Sequence, residues 1–170
     1  MYSQEIKIPK ERIAVLIGKK GSTKKQLQKA TESIITVSKE GDVLIEGEDS
    51  LKVYSALHVI KAISRGFNPL IAQTLLNEEN TMEILNIHDF TGKSKSKFTR
   101  RKARVIGTKG RAWKTIEDLT LTDISVYGKT VAIIGMHENV ILAKQAIEKL
   151  LRGAPHSNVY MFLEEKRRKI

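Results

Sequence analysis

The segment IGKKG at residues 17–21 recurs as IGTKG at residues 106–110, and each copy precedes a basic stretch of helical character. Two glycines that flank two polar residues allow positive φ and a close approach to a ligand, because glycine has no Cβ atom. Each turn leads directly into a predicted helix, whose first N–H groups favour an anion. One such turn could simply connect two helices, but two copies in matching surroundings indicate a repeated anion-binding loop.

The similarity extends well beyond these loops. At a spacing of 89 residues Arg12 falls on Arg101 and Ile35 on Ile124, and the spacing becomes 88 after a hairpin turn and 87 in the last helix. One-residue slips at turns are tolerated in duplicated domains. Each copy has the pattern strand, helix, helix, strand, strand, helix. The sequence therefore predicts two α+β domains in tandem.

Composition narrows the kind of partner. Thirty Lys and Arg against nineteen Asp and Glu give a formal net charge of +11, which favours a polyanionic partner. The chain has no cysteine, which excludes disulfides, thiolate catalysis and cysteine-ligated zinc. No apolar run reaches the roughly 18 residues of a membrane span, and no catalytic triad, metal constellation or P-loop is visible. We expect a cytoplasmic protein that is not an enzyme, has no cofactor or metal, and does not bind a membrane.

The predicted segments follow from the repeat. They are a first domain over residues 1–67, a linker helix over 68–80, a second domain over 81–154 and a C-terminal tail over 155–170. Ser22 is expected to cap the helix after the first loop. Two interpretations of the tail stay open: a helix that docks its apolar face on the second domain, or an extension that binds a partner or RNA.

The I-G-x-x-G loop in a β-α-α-β-β-α unit resembles the type I KH domain, over residues 1–66 and 81–153. KH domains clamp about four nucleotides of RNA backbone. More narrowly, ISVYGKTV at 124–131 and LRGAPH at 151–156 are similar to the tandem-KH ribosome assembly factor of archaea and eukaryotes. This resemblance implies a three-stranded antiparallel sheet with helices on one face and binding to single-stranded RNA. It also implies small-subunit rRNA near its 3′ end as the RNA and a Nob-type endonuclease as a partner.

The chain departs from the KH pattern in three places. Lys24 and Trp113 replace a usual aliphatic residue after the loop, and Glu32 and Leu121 replace a usual glycine before the second strand. The second copy also has about ten extra residues between its first strand and its loop. All four loop glycines are present, so the departures concern base preference more than binding.

The candidate RNA-binding residues lie in and around the two loops. In the first copy they are Ile17, Gly18, Lys19, Lys20, Gly21, Lys25 and Ile35, and in the second Arg104, Ile106, Gly107, Thr108, Lys109, Gly110, Arg111, Lys114 and Ile124. Loop N–H groups and basic side chains are expected at phosphates, which supply affinity but no sequence information. The isoleucines, with Leu27 and Ile116, could form a floor for bases or belong to the core, and Trp113 could pack or stack.

Basic charge is concentrated near the second loop. Between Asp89 and Glu117 there are ten Lys or Arg residues and no acidic residue. We interpret this stretch as an electrostatic approach for RNA, so the second domain is expected to make the stronger contact. For residues 93–97 alone, a solvated flexible loop is an equal alternative. A protein–protein adaptor, or a nucleic-acid-binding protein outside ribosome assembly, stays open as an alternative function.

Overall fold

The computed structural model describes residues 1–168, and the chain separates into two compact units whose boundary lies between Glu78 and Glu79. Unit 1 contains β1 (Tyr2–Lys7), α1 (Ile13–Ile17), α2 (Ser22–Thr31), β2 (Ser33–Val37), β3 (Asp42–Gly47), α3 (Ser50–Ser64) and α4 (Pro69–Ala72). The described part of unit 2 contains β4 (Asn80–Asn86), α5 (His88–Thr91), α6 (Lys95–Ile106), α7 (Arg111–Thr120), β5 (Asp123–Tyr127), β6 (Thr130–Met136), α8 (His137–Leu151) and α9 (His156–Arg168).

Both units contain an antiparallel three-stranded sheet of the same topology. The strand order is β1-β3-β2 in unit 1 and β4-β6-β5 in unit 2. Ile35 pairs with Ile45 in the first sheet, and Ile124 pairs with Ile133 in the second. Alternate residues of a strand point to one face, and the longer helices pack against that face. The predicted fold of two β-α-α-β-β-α units is confirmed.

The two cores are built from equivalent positions. In unit 1 the buried side chains include Leu16, Leu27, Ile35, Ile45, Val53 and Ile60. In unit 2 they include Val105, Ile116, Ile124, Ile133, Val140 and Ile147. Each member of the second list follows its counterpart by 89, 88 or 87 residues, in chain order. The duplication therefore preserves the packing as well as the loops.

An arginine anchors the helix before the loop in each unit. In unit 1 Arg12 donates from Nε to the Ile63 carbonyl and from Nη2 to the Phe67 carbonyl, both at 2.8 Å. In unit 2 Arg104 donates from Nη2 to the Ala154 carbonyl at 2.8 Å. His156 Nε2 donates back to the Arg104 carbonyl at 2.7 Å. These bonds fix the orientation of the helix that precedes each loop.

Two segments outside the repeat pack on their own units. The segment predicted as a linker helix over 68–80 forms α4 and a 3-10 turn, Gln73–Leu76, which pack on α3. Ala72 and Leu75 are buried there, which is why the unit boundary lies after residue 78. The tail forms α9, whose Val159 and Leu163 are buried against unit 2. This agrees with the docking interpretation; Lys169 and Ile170 lie outside the described residues.

The starts of two helices, α2 and α6, test a predicted cap and the flexible-loop alternative for residues 93–97. Gly21, in the left-handed conformation, occupies the N-cap of α2, and its Ser22 neighbour is already helical without a capping hydrogen bond. The cap assigned to Ser22 was therefore wrong. Helix α6 begins at Lys95, because Ser94 Oγ accepts the Lys97 N–H at 3.2 Å. Residues 95–97 are thus the first turn of a helix and not a loop. Over residues 1–168, no helix combines the length and apolarity needed to cross a bilayer.

The two residues that replace the usual KH glycine hold left-handed backbone. Glu32 has φ 47° and ψ 45°, and Leu121 has φ 54° and ψ 45°, each directly after a helix. The Leu121 side chain is 75% exposed. Left-handed backbone costs an L-residue roughly 1–2 kcal/mol, so both positions keep the glycine conformation without glycine.

Replacement of Leu121 by glycine should make unit 2 more stable than replacement by alanine, by about 1 kcal/mol in the free energy of unfolding. Alanine removes the same exposed side chain but keeps the strain in φ, so it is the matched control. Urea denaturation of both variants measures the difference. Equal stability of Leu121→Gly and Leu121→Ala would show that the left-handed backbone at Leu121 is not strained.

Candidate nucleic-acid interface

The two glycine loops have the same backbone conformation. Gly18, Lys20 and Gly21 have φ values of 76°, 54° and 75°. The equivalent values in the second loop are 74°, 56° and 74°. In each loop the second glycine N–H donates to the carbonyl of the first, at 3.1 and 3.2 Å. The sequence repeat is therefore a repeat of geometry, in which a tight turn leads straight into a ten-residue helix.

The two glycines of a loop have different roles. A Cβ atom on Gly18 would lie 2.7 Å from Thr23 Cβ, and one on Gly107 would lie 2.6 Å from the Ala112 nitrogen. The first glycine is thus required for the loop to pack on the following helix. A Cβ on Gly110 would meet nothing within 4 Å, and one on Gly21 would meet only Lys25 Cε at 3.7 Å. The second glycine faces open space, where a ligand backbone can approach.

Basic side chains surround both loops. The predicted phosphate contacts Lys19, Lys20 and Lys109 are exposed, and within residues 1–168 no ion pair holds their ammonium groups. Thr108, Lys25 and Arg111 are also exposed. Lys114 is exposed too, and its Nζ lies 3.4 Å from Asp118 Oδ1. The loops therefore present exposed cationic groups beside an open second glycine.

Unit 1 has an open groove beside its loop. The groove has a volume of about 540 Å³ and is lined by Lys10, Ile13, Ala14, Ile17, Gly18 and Lys39. Helix α1 supplies the apolar wall, and Lys39 belongs to the turn between β2 and β3. Lys10, Ile13, Ala14 and Lys39 were absent from the predicted site. Lys39 lies in the hairpin turn, and Lys10, Ile13 and Ala14 precede Ile17 by seven, four and three residues, a helical spacing that could have identified them.

The predicted aliphatic floor is mostly core. Ile35 and Ile124 are only 1% and 3% exposed, because they lie on the inner face of each sheet. They support the groove from below and do not line its surface, so their assignment as base contacts is corrected. Ile17 and Ile106 are half-buried next to the loops. Arg104 likewise anchors α6 through Ala154 and does not extend freely towards a ligand.

The equivalent region of unit 2 is built differently. Lys102 stands where unit 1 has Ile13, and its Nζ donates to the Gly128 carbonyl at 2.7 Å. Gly128 and Lys129 form a two-residue turn, whereas residues 38–41 connect the equivalent strands of unit 1. A lysine therefore bridges from α6 to the hairpin in unit 2, where unit 1 has an apolar wall.

Trp113 packs at the edge of the unit 2 core. It is half-buried and hydrogen-bonds to the Glu117 side chain, which favours the packed interpretation over stacking on a base. Glu117 also accepts the Ile124 N–H at 2.8 Å, as Gln28 accepts the Ile35 N–H at 2.8 Å in unit 1. Burial raises the pKa of the Glu117 carboxyl above its ordinary value, and the hydrogen bonds from Ile124 and Trp113 oppose that rise.

Glu117→Gln should stabilise unit 2 near pH 7 and should lose this advantage as the pH falls towards 4. The raised pKa means that folding favours the protonated carboxyl, so wild-type stability falls as pH rises through the folded-state pKa. Glutamine keeps the acceptor for Ile124 without the charge. Denaturant unfolding of both proteins between about pH 4 and pH 7 measures the difference. The reciprocal Gln28→Glu should destabilise unit 1 near pH 7; a pH-independent effect of either exchange would contradict this account.

Two family models match the chain, one in each of the two units. Residues 81–168 match the eukaryotic type KH-domain (KH-domain type I), in the form found as the second domain of PNO1, and residues 3–62 match the KH domain. A KH domain-containing protein of Methanocaldococcus jannaschii is 46% identical over 97% of this chain and 74% of its own length. The chain is a tandem KH-domain protein of the PNO1 family. The glycine loops are thus the two GXXG loops of this KH protein. The family resemblance found in the sequence is confirmed.

Other members of the family are named for RNA binding. The RNA-binding protein pno1 of Drosophila pseudoobscura is 33% identical over 68% of this KH protein, which spans about half of that relative's length (49%). The crystal structure of an a/eIF2alpha–aDim2p–rRNA complex from Pyrococcus horikoshii is similar with a TM-score of 0.91 and 46% identity. That match covers 99% of this chain and 96% of the other.

Proposed function

We propose that this KH protein binds single-stranded RNA through its two GXXG loops and acts in ribosome assembly. The observation that carries the proposal is the pair of loops with one backbone conformation, an open second glycine and exposed basic side chains. Backbone N–H groups at a helix start and nearby cations are complementary to phosphates. The rRNA in the complex of the Pyrococcus relative supports the same class of ligand.

The RNA we propose is small-subunit rRNA near its 3′ end, and the partner is a Nob-type endonuclease. Both rest on the sequence resemblance to the tandem-KH assembly factor. The protein would hold the RNA and position it for a processing enzyme without catalysing cleavage itself. Relatives named as RNA-binding proteins support a binding role. Cytoplasmic localisation stays a prediction from composition.

A comparison of three RNAs tests the ligand. We expect the wild-type chain to bind a single strand that matches the 3′ end of small-subunit rRNA more tightly than a shuffled strand or a duplex of the same sequence. Fluorescence anisotropy at fixed salt measures the three affinities. Equal affinity for the matched and shuffled strands would contradict the rRNA assignment. No binding to any single strand would contradict RNA binding and leave the adaptor function in its place.

A cleavage assay tests the partner. With a Nob-type endonuclease and a substrate that contains the same 3′ end, addition of the KH protein should change the rate or position of cleavage. The endonuclease without the KH protein and the KH protein without the endonuclease are the controls. An unchanged cleavage pattern would contradict the positioning role, and cleavage by the KH protein without the endonuclease would contradict a purely binding role.

A further inference from the structure

The segment between β4 and α6 distinguishes unit 2 from unit 1. In unit 1 the strand is followed within a few residues by the five-residue helix α1. In unit 2 the additional helix α5 intervenes, and α6 is twelve residues long. At the repeat spacing, Phe98 of α6 falls on Pro9 of unit 1. The extra residues therefore add a surface beside α6 that has no counterpart in unit 1.

Two aromatic rings are stacked on this surface. The centroids of the His88 and Phe98 rings lie 4.6 Å apart with an interplanar angle of 23°. Phe98 is half-buried and packs on the core of unit 2, whereas His88 is exposed. The Nδ1 atom of His88 lies 3.1 Å from the Gly92 carbonyl, which holds the imidazole in this orientation. The exposed His88 ring is thus held against the half-buried Phe98 ring.

Contacts with the hairpin turn place the pair beside residues 128–129. The Ile87 N–H donates to the Lys129 carbonyl at 2.9 Å, directly before His88. On α6, Phe98, Lys102 and Ile106 are four residues apart and so share one face. Lys102 Nζ bonds the Gly128 carbonyl and lies 5.8 Å from the centre of the Phe98 ring. A path therefore runs along α6 from the GXXG loop, past Lys102, to the aromatic pair.

The surrounding charge suits a nucleic acid strand. Lys93, Lys95 and Arg100 belong to the same inserted segment and the start of α6, and all three are exposed. From residue 88 to residue 116 the sequence has one acidic residue, Asp89, against ten Lys or Arg residues. An aromatic ring beside a cationic path is how proteins bind successive bases without a sequence code. Phe98 belongs to the core of unit 2, whereas the His88 ring is exposed and held in a fixed orientation.

We propose that His88, supported by Phe98, stacks on one nucleobase of a single-stranded RNA just beyond the nucleotides held by the GXXG loop of unit 2. Lys102 stands between that loop and this base on the same face of α6. The proposal rests on the RNA-binding function proposed above and adds one subsite to it. A strand that fills only the GXXG groove, about four nucleotides, would not reach it.

A length series of single-stranded RNAs tests the subsite. Strands of about four to eight nucleotides are titrated into the full chain with Lys19→Asp and Lys20→Asp, so that unit 2 dominates binding. We expect affinity to rise at the length that reaches His88. His88→Ala should remove that rise, by about 5- to 100-fold, and leave the shortest strand unaffected. His88→Phe, which keeps an aromatic ring, should restore it.

Two further readouts separate stacking from folding. A 2-aminopurine base at the reaching position should be quenched by wild type and not by His88→Ala. His58→Ala is the matched control, because His58 also contacts an aromatic ring, Tyr54 at 4.5 Å, but on α3. If His88→Ala showed the same length dependence and the same quenching as the wild type, the subsite would be overturned and the RNA-binding function would stand. Absence of RNA binding by the wild type would overturn the function and the subsite together.

Discussion

Replacement of Thr108 and Lys109 by aspartate should weaken single-stranded RNA binding by about 10- to 100-fold, because hydrogen bonds to charged groups are worth about 1.5–3 kcal/mol. The two carboxylates would repel a phosphate that the loop N–H groups now attract. Lys109 has φ 56° and ψ 30°, a left-handed conformation that aspartate tolerates better than most residues. The loop should therefore keep its shape, and the loss should be electrostatic.

The matched pair is Lys19→Asp with Lys20→Asp in unit 1, where Lys20 has φ 54°. We expect this pair to cost less affinity, since the basic stretch between Asp89 and Glu117 lies in unit 2. Anisotropy titrations measure both pairs, and circular dichroism checks that each protein is folded. A larger loss in unit 1 would reverse the ranking of the units. Unchanged affinity in both pairs would refute the loop mechanism.

Gly107→Ala should destabilise unit 2 by about 3 kcal/mol. Gly107 has φ 74° and ψ 173°, a region that only glycine enters readily and that costs other residues about 1–3 kcal/mol. The new methyl group would also lie 2.6 Å from both the nitrogen and the Cβ of Ala112, and relief of such an overlap costs typically about 1–3 kcal/mol. Denaturant unfolding, followed by Trp113 fluorescence, measures the loss in unit 2.

Gly110→Ala is the control for that prediction. Its Cβ would meet nothing within 4 Å, and its φ of 74° with ψ 12° is ordinary left-handed backbone. We expect a cost of about 1 kcal/mol, from conformation alone. If Gly107→Ala and Gly110→Ala were equally destabilising, the first glycine would have no special packing role.

The fold could be predicted from the sequence because the chain repeats its local patterns. Apolar residues at matching spacing, such as Leu27 and Ile116, define the helices of both copies, and Ile35 and Ile124 define the inner faces of both sheets. A flexible loop stayed open for residues 93–97 because Lys95, Ser96 and Lys97 carry no apolar periodicity. The start of α6 depends on the Ser94 cap, a local hydrogen bond that a charge pattern hides.

The site was harder to predict because it depends on tertiary contacts. Sequence placed the four loop glycines in the site but could not show that Gly18 and Gly107 pack while Gly21 and Gly110 remain open. Side-chain type likewise does not distinguish Ile17, at the groove, from Ile35, below it. The bridge from Lys102 to Gly128 joins residues 26 positions apart, which no spacing rule indicates.

The salt dependence of single-stranded RNA binding tests the central claim, that the loops hold a phosphate backbone. If the protein neutralises about five phosphates, log affinity should fall with log salt concentration at a slope of about −3.5. The variant with Thr108→Asp and Lys109→Asp should show a shallower slope, since fewer counterions are released. A slope near zero, or the same slope in wild type and variant, would contradict the account.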